Sequence, residues 1–197
     1  MTNEGSISGG TGVYFKDGGS VANLAGLTSI YGALDGIRIK GAAGTVTNAG
    51  TVNEGGDVGV YLLFGGAVTN RSGGTIDDSG LFGIFVTGGS SGTVVNAGLV
   101  TAASEGIFFA SGGAVTNQSG GTIESGGGGI LILPATGIVT NAGVISGGSS
   151  YGIRLGSGGT VVAQGGGTIS GPTVRSKESG GASGCEFAAS QHFQMCK

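Results

Sequence analysis

The feature that most constrains this chain is a spacing. Gly12, Gly36, Gly59, Gly83, Gly106, Gly129 and Gly152 each open a Gly-apolar-x-apolar step, and they stand 24, 23, 24, 23, 23 and 23 residues apart. Two more elements keep the same beat. One is Val-x-Asn, at Val21 to Asn23, Val46 to Asn48, Val68 to Asn70, Val94 to Asn96, Val115 to Asn117 and Val139 to Asn141, with a seventh copy at Val161 that ends in Ala163. The other is a short β-prone step carrying Ile7, Val52, Ile76, Val100, Ile123, Ile145 and Ile169. A fixed period of this size predicts a solenoid.

The chemistry of the repeat selects the kind of solenoid. Glycine supplies 49 of 197 residues, and in a helix each costs about 1 kcal/mol relative to alanine, which argues against helical repeats. The Leu-x-x-Leu-x-Leu frame of leucine-rich repeats is absent. Each unit instead holds three short segments with alternating apolar positions, bounded by Gly, Ser and Asn, and alternation places successive side chains on opposite faces of a strand. Three strands and three turns close one coil, and the prediction is an all-β parallel β-helix of about seven coils over residues 1–171. The inward residues of the third segment are then Val13 and Phe15, Ile37 and Ile39, Val60 and Leu62, Ile84 and Val86, Ile107 and Phe109, Ile130 and Ile132, and Ile153 and Leu155. With neighbouring rungs ~4.8 Å apart, seven coils make a rod roughly 30 to 35 Å long. The Asn column Asn23, Asn48, Asn70, Asn96, Asn117 and Asn141 is expected to be structural, because Asn suits turns and stacked copies can bond one another along the rod. Asn70-Arg71-Ser72 and Asn117-Gln118-Ser119 match a glycosylation sequon, but an inward Asn is not open to modification.

Composition narrows the function classes. Collagen needs glycine at every third position with abundant proline, and only two prolines occur. Mean hydropathy of +0.31 with a net charge of −3 does not fit a disordered chain. No Lys/Arg cluster exists to neutralise phosphates, so nucleic acid is not an expected partner. The longest apolar runs, such as Ile130 to Leu133, fall far short of a membrane span. The opening residues already read as repeat material without a basic-then-apolar leader, and the expectation is a fragment or a truncated reading frame. From Pro172 the period stops, and residues 172–197 carry both cysteines and the single histidine. This tail is expected to be disordered, loosely packed or a cap.

Candidate chemistry is thin. His192 lies in the tail, so the rod cannot hold a Ser-His-Asp triad. Cys185, His192 and Cys196 lack the tight paired spacing of zinc ligands, no Gly-Lys-Ser/Thr phosphate loop occurs, and neither a metal nor a cofactor is expected. Glu54 and Asp78 fall at equivalent turn positions on adjacent coils, the separation of ~5 Å that a retaining glycosidase needs between its two carboxyls. They define the enzymatic alternative, a carbohydrate-active β-helix hydrolase or lyase, against the expectation that a turn-edge pair is solvated surface. Asp77 and Glu124 sit two coils apart in a neighbouring column.

The outward positions of the third segment read Tyr14, Arg38, Tyr61, Phe85, Phe108, Leu131 and Arg154, one per coil. Such a stripe either stacks on itself or marks a contact surface for a glycan, a host cell or another chain. A partial outward column of Thr47, Thr69, Thr116 and Thr140, broken by Val95 and Val162, resembles an ice-binding array but has no paired second column.

The run Val-Thr-Asn-Ala-Gly followed by Val/Ile-x, Gly-Gly and Gly-Ile/Val-x-Leu resembles the passenger repeats of bacterial autotransporters (type V secretion) and of haemagglutinin-like adhesins. Its clearest copies are Val46 to Gly50, Val68 to Ile76 and Val139 to Leu155, and the likeness spans residues 3–171. The resemblance implies a right-handed coil and a secreted, non-catalytic adhesin or stalk on the outer membrane surface. It carries no catalytic residue over. An export signal and barrel strands, which that route uses, are absent from this sequence. A truncated frame without an evolved role is the third reading, and uncapped coil ends, being strand edges, invite self-association.

Overall fold

A computed structural model describes residues 1–172 and the strands Cys185–Phe187 and Gln194–Cys196. Among the described residues every regular element is a strand, and stacked parallel strands form a β-solenoid of about seven turns. Side chains of Cys185 and Cys196, and all of His192, lie outside this description.

Three ladders run along the rod. The first stacks Gly19–Asn23, Gly44–Asn48, Gly66–Asn70, Gly92–Asn96, Gly113–Asn117, Gly137–Asn141 and Gly159–Ala163, with the Val-x-Asn units in exact register. The second stacks Thr51–Glu54, Thr75–Asp78, Leu99–Ala102, Thr122–Ser125, Val144–Gly147 and Thr168–Ser170. The third stacks Val58–Leu62, Phe82–Val86, Glu105–Phe109, Gly128–Ile132 and Ile153–Leu155. In the first two coils the second and third strands run on as single long strands, Ser6–Phe15 and Ser29–Ile39, and the latter feeds both ladders. Both strands of the tail pair antiparallel, Cys185–Phe187 against Ile153–Leu155 and Gln194–Cys196 against Gly159–Ala163.

The predicted interior is the observed one. Ile37, Val60 and Ile84 stand in single file, and the inward residues named for the third strands, with Val21, Val46, Val68, Val94, Val115, Val139 and Val161, form one core. Phe15 packs against it from a partly buried position. The core also holds a residue outside the recognised repeat steps, Ile30 on the second strand of the second coil, fully buried between Ile7 and Val52. Large aromatics fit because glycine faces them: a Cβ on Gly92 would stand 2.6 Å from the Phe109 ring, and one on Gly19 would stand 2.7 Å from Phe15.

Glycine has a second purpose at the corners. Between the third and first strands, pairs such as Gly65 (φ 73°) and Gly66 (φ 128°), or Gly158 (φ 78°) and Gly159 (φ 146°), turn the chain through left-handed backbone that other residues rarely adopt. Where the third strand starts, the demand is space. A Cβ on Gly83 would lie 2.7 Å from Val100 Cγ1 and 2.8 Å from the Gly106 carbonyl oxygen, and Gly36, Gly59, Gly106 and Gly129 are crowded in the same way. The periodic glycine is thus the point where the coil is narrowest.

Candidate functional site

The Asn column is a continuous ladder at the first corner. Each Nδ2 donates to the Oδ1 one coil on, from Asn3 to Asn23 (2.8 Å), Asn23 to Asn48 (2.8 Å), Asn48 to Asn70 (2.9 Å), Asn70 to Asn96 (2.9 Å), Asn96 to Asn117 (2.9 Å) and Asn117 to Asn141 (2.8 Å). The same Nδ2 reaches a second-strand carbonyl of the next coil, as from Asn48 to Thr75 (3.0 Å) and Asn70 to Leu99 (3.0 Å). Asn3 extends the column by one rung beyond the six expected, and Ala163 ends it. All seven amides are buried, so both sequon asparagines, Asn70 and Asn117, are enclosed.

The outward stripe resolves into parts. Tyr61 and Phe85 stack with centroids 4.8 Å apart and planes at 17°, and Phe85 and Phe108 at 4.9 Å and 4°. Phe82, which the sequence reading left out, tilts against Phe85 (5.1 Å) and Phe108 (5.4 Å). Arg38 caps the stack with its guanidinium carbon 5.0 Å from the Tyr61 ring centre. The flat faces of the central rings are therefore covered by one another, and their edges meet solvent. Each stacked pair contributes roughly 0.5–1.5 kcal/mol beyond its burial. The ends of the stripe differ from the expectation: Leu131 is buried, while Tyr14 is exposed and carries Lys40 at 5.5 Å, and Arg154 lies over Tyr151 at 5.9 Å. The outer face is one aromatic cluster over three coils, with Arg38 at one end and Leu131 at the other.

The carboxyl pair departs most from the sequence reading. Glu54 and Asp78 are in register on adjacent rungs, as expected, but they are 2% and 3% exposed rather than solvated. The reason is strand parity. Val52 and Ile76 face inward, so the residues two further on, Glu54 and Asp78, face inward as well. Backbone amides supply most of their partners: Gly80 N–H donates to Glu54 Oε1 (3.1 Å) and to Asp78 Oδ1, and Gly56 N–H donates to Glu54 Oε2. Asp78 Oδ2 is buried with no donor, as is the Ser125 hydroxyl two rungs on. Burial, and then the neighbouring Glu54 carboxyl, push Asp78 up to about 8, against smaller downward pulls from the Gly80 and Gly59 amides. Nearby Asp35 is also raised by burial, opposed by Arg38, whose Nη1 is 3.0 Å from Oδ2. Asp77 and Glu124 face outward on either side of Thr101, which donates to Asp77.

The threonine column is interrupted as predicted. Beside it runs a second outward column, mixed in kind: Ser20, Thr45, Ala67, Thr93, Ala114, Ile138 and Thr160. Among the described residues no group of three or more His, Cys, Asp or Glu is arranged to hold a metal ion, and no helix is long and apolar enough to cross a membrane. Compared with family models, curated proteins and solved structures, the chain matches none of them. What fold and surface define is a parallel β-solenoid with an aromatic outer face.

Proposed function

We propose that this chain is a non-catalytic structural and adhesive rod segment of an autotransporter-like bacterial surface protein, displayed outside the cell when such a protein carries it. The observation that supports the reading is the face formed by Arg38, Tyr61, Phe82, Phe85 and Phe108 on the outside of the third ladder. A rigid rung spacing holds it flat, and clustered aromatics with arginine are the side chains that dominate protein contact surfaces. Because the rings cover one another's faces, a partner meets ring edges and a guanidinium. That geometry favours a host-cell protein surface over sugar rings, which stack on open aromatic faces. The glycosidase reading needs a sugar to reach Glu54 and Asp78 together, and both are enclosed within the coil.

The test replaces Tyr61, Phe85 and Phe108 with Ser in the full chain and measures adhesion to cells and to immobilised glycans. With the β-sheet circular-dichroism spectrum retained, cell binding is expected to fall about tenfold or more, and the corresponding Leu variants are expected to fall less. Unchanged cell binding by the folded Ser variant removes the aromatic face from consideration.

A further inference from the structure

One inward column of the second ladder, at its corner with the third, reads Gly32, Glu54, Asp78, Ala102, Ser125 and Gly147. Only Glu54 and Asp78 in it titrate, and they are neighbours. Three of their four oxygens accept from the amides of Gly56 and Gly80. The fourth, Asp78 Oδ2, is buried and has no donor, and Asp78 stands in register with Glu54 on the adjacent rung. Two enclosed carboxylates on adjacent rungs cannot both ionise without large cost. One proton on Oδ2 removes that cost and turns the orphan acceptor into a donor.

Beyond the Gly80 and Gly59 amides, the charged side chains around the pair offer no other relief. From the long strand Ser29–Ile39 come Asp35 and Arg38, which pair with each other, and the outward Tyr31, whose hydroxyl lies over Gly55. Asp57 stands exposed at the same corner, and Asp77 points outward to Thr101. Leu99–Ala102 and Phe82–Val86 carry no titratable side chain, and Val58–Leu62 brings only the outward Tyr61. The single cation of this corner among the described residues is therefore already engaged.

We propose that Asp78 holds a proton in the folded rod and donates it from Oδ2 to Glu54, clasping the third and fourth coils through a carboxyl–carboxylate hydrogen bond that is lost when the proton leaves. The upward displacement of Asp78 to about 8 from an ordinary 3.8 agrees with this arrangement. The sign follows from linkage. The folded state holds the proton more tightly than the unfolded chain, so the proton stays on the folded rod until about pH 8, while the stability it adds is full below about pH 4, erodes as pH rises, and is gone above about pH 8. Within that window the folding equilibrium falls by about tenfold per pH unit. The joint makes the rod firmest in mild acid, the opposite of a domain held by ionised carboxylates.

The test is equilibrium unfolding of the full chain across that window, comparing wild type with Asp78→Asn. The amide of D78N keeps an acceptor for Gly80 and gives Glu54 a permanent donor, so its stability is expected to lose most of the wild-type slope. Carbon NMR of the Asp78 carboxyl in the wild-type chain reads the same proton directly and does not depend on D78N folding. A midpoint in the ordinary Asp range, or a D78N slope equal to that of wild type, overturns the clasp.

Discussion

Asn96 offers the sharpest test of what joins the coils. Its Nδ2 donates to Asn117 Oδ1 (2.9 Å), Thr122 O (3.1 Å) and Gly98 O (3.1 Å), while its Oδ1 accepts from Asn70 Nδ2 (2.9 Å) and from Gly98 N–H (3.3 Å). An amide has two N–H bonds, so Asn96→Ala removes two donated and two accepted hydrogen bonds, each worth about 1 kcal/mol. It also strands part of the hydrogen-bonding capacity of Asn70 and of the Thr122 carbonyl inside the corner. The expected loss is about 4 kcal/mol in urea unfolding followed by circular dichroism. Thr116→Val, on the outer face of the neighbouring rung, is the control and is expected to stay within ±0.5 kcal/mol. Asn96→Asp is the discriminating variant: it keeps the shape but turns Nδ2 into an oxygen facing three acceptors, so it is expected to be at least as damaging as Ala near neutral pH. Because a solenoid loses stability between neighbours, amide exchange is expected to rise first in the rungs that flank Asn96. If Asn96→Ala and Asn96→Asp both lie within about 1 kcal/mol of Thr116→Val, the ladder does not hold the coils together and the reasoning fails.

Gly83→Ala is expected to cost about 1–3 kcal/mol by overpacking, since the new Cβ meets Val100 Cγ1 at 2.7 Å and a backbone oxygen at 2.8 Å. Gly5→Ala, where a Cβ meets nothing within 4 Å, is expected to be neutral or slightly stabilising in the same melt. Passed through a glycosylating secretory host, the folded chain is expected to leave Asn70 and Asn117 unmodified by intact-mass measurement, because both amides are enclosed in the ladder.

The fold was legible because its signals repeat. The glycine spacing, the Val-x-Asn units and the alternation around Ile37, Val60 and Ile84 all report the same coil, so an error in one copy is corrected by the others. Ile30 escaped because the turn before it is longer, placing it seven residues after Asn23 where its counterparts follow their Asn by four or six. Asn3 escaped because Met1 stands where the other copies have a leading Val, so only its place above Asn23 identifies it. The aromatic column was readable from parity, yet the way its rings would pack was not. Phe82 joins the cluster from the neighbouring column of Val58 and Glu105, a contact between columns that spacing within one column cannot reveal.

Glu54 and Asp78 show where local chemistry misleads and register does not. Flanking glycines make both residues look like turn carboxylates, and charge argues for solvent. The alternation that correctly buried Val52 and Ile76 also requires the residues two positions on to face inward, because a strand cannot reverse parity without a bulge. The equivalent positions in later coils, Ala102 and Ser125, show what the site accommodates without a charge. The corner is narrow for the same reason that its glycines are periodic: the third strand passes so close to the second that Gly59 and Gly83 have no room for a Cβ. Two carboxyls closed into that space are beyond the reach of a substrate, and their common solution is to share a proton. The constraint that makes the repeat recognisable therefore also removes this pair from surface chemistry and leaves it to joining one coil to the next.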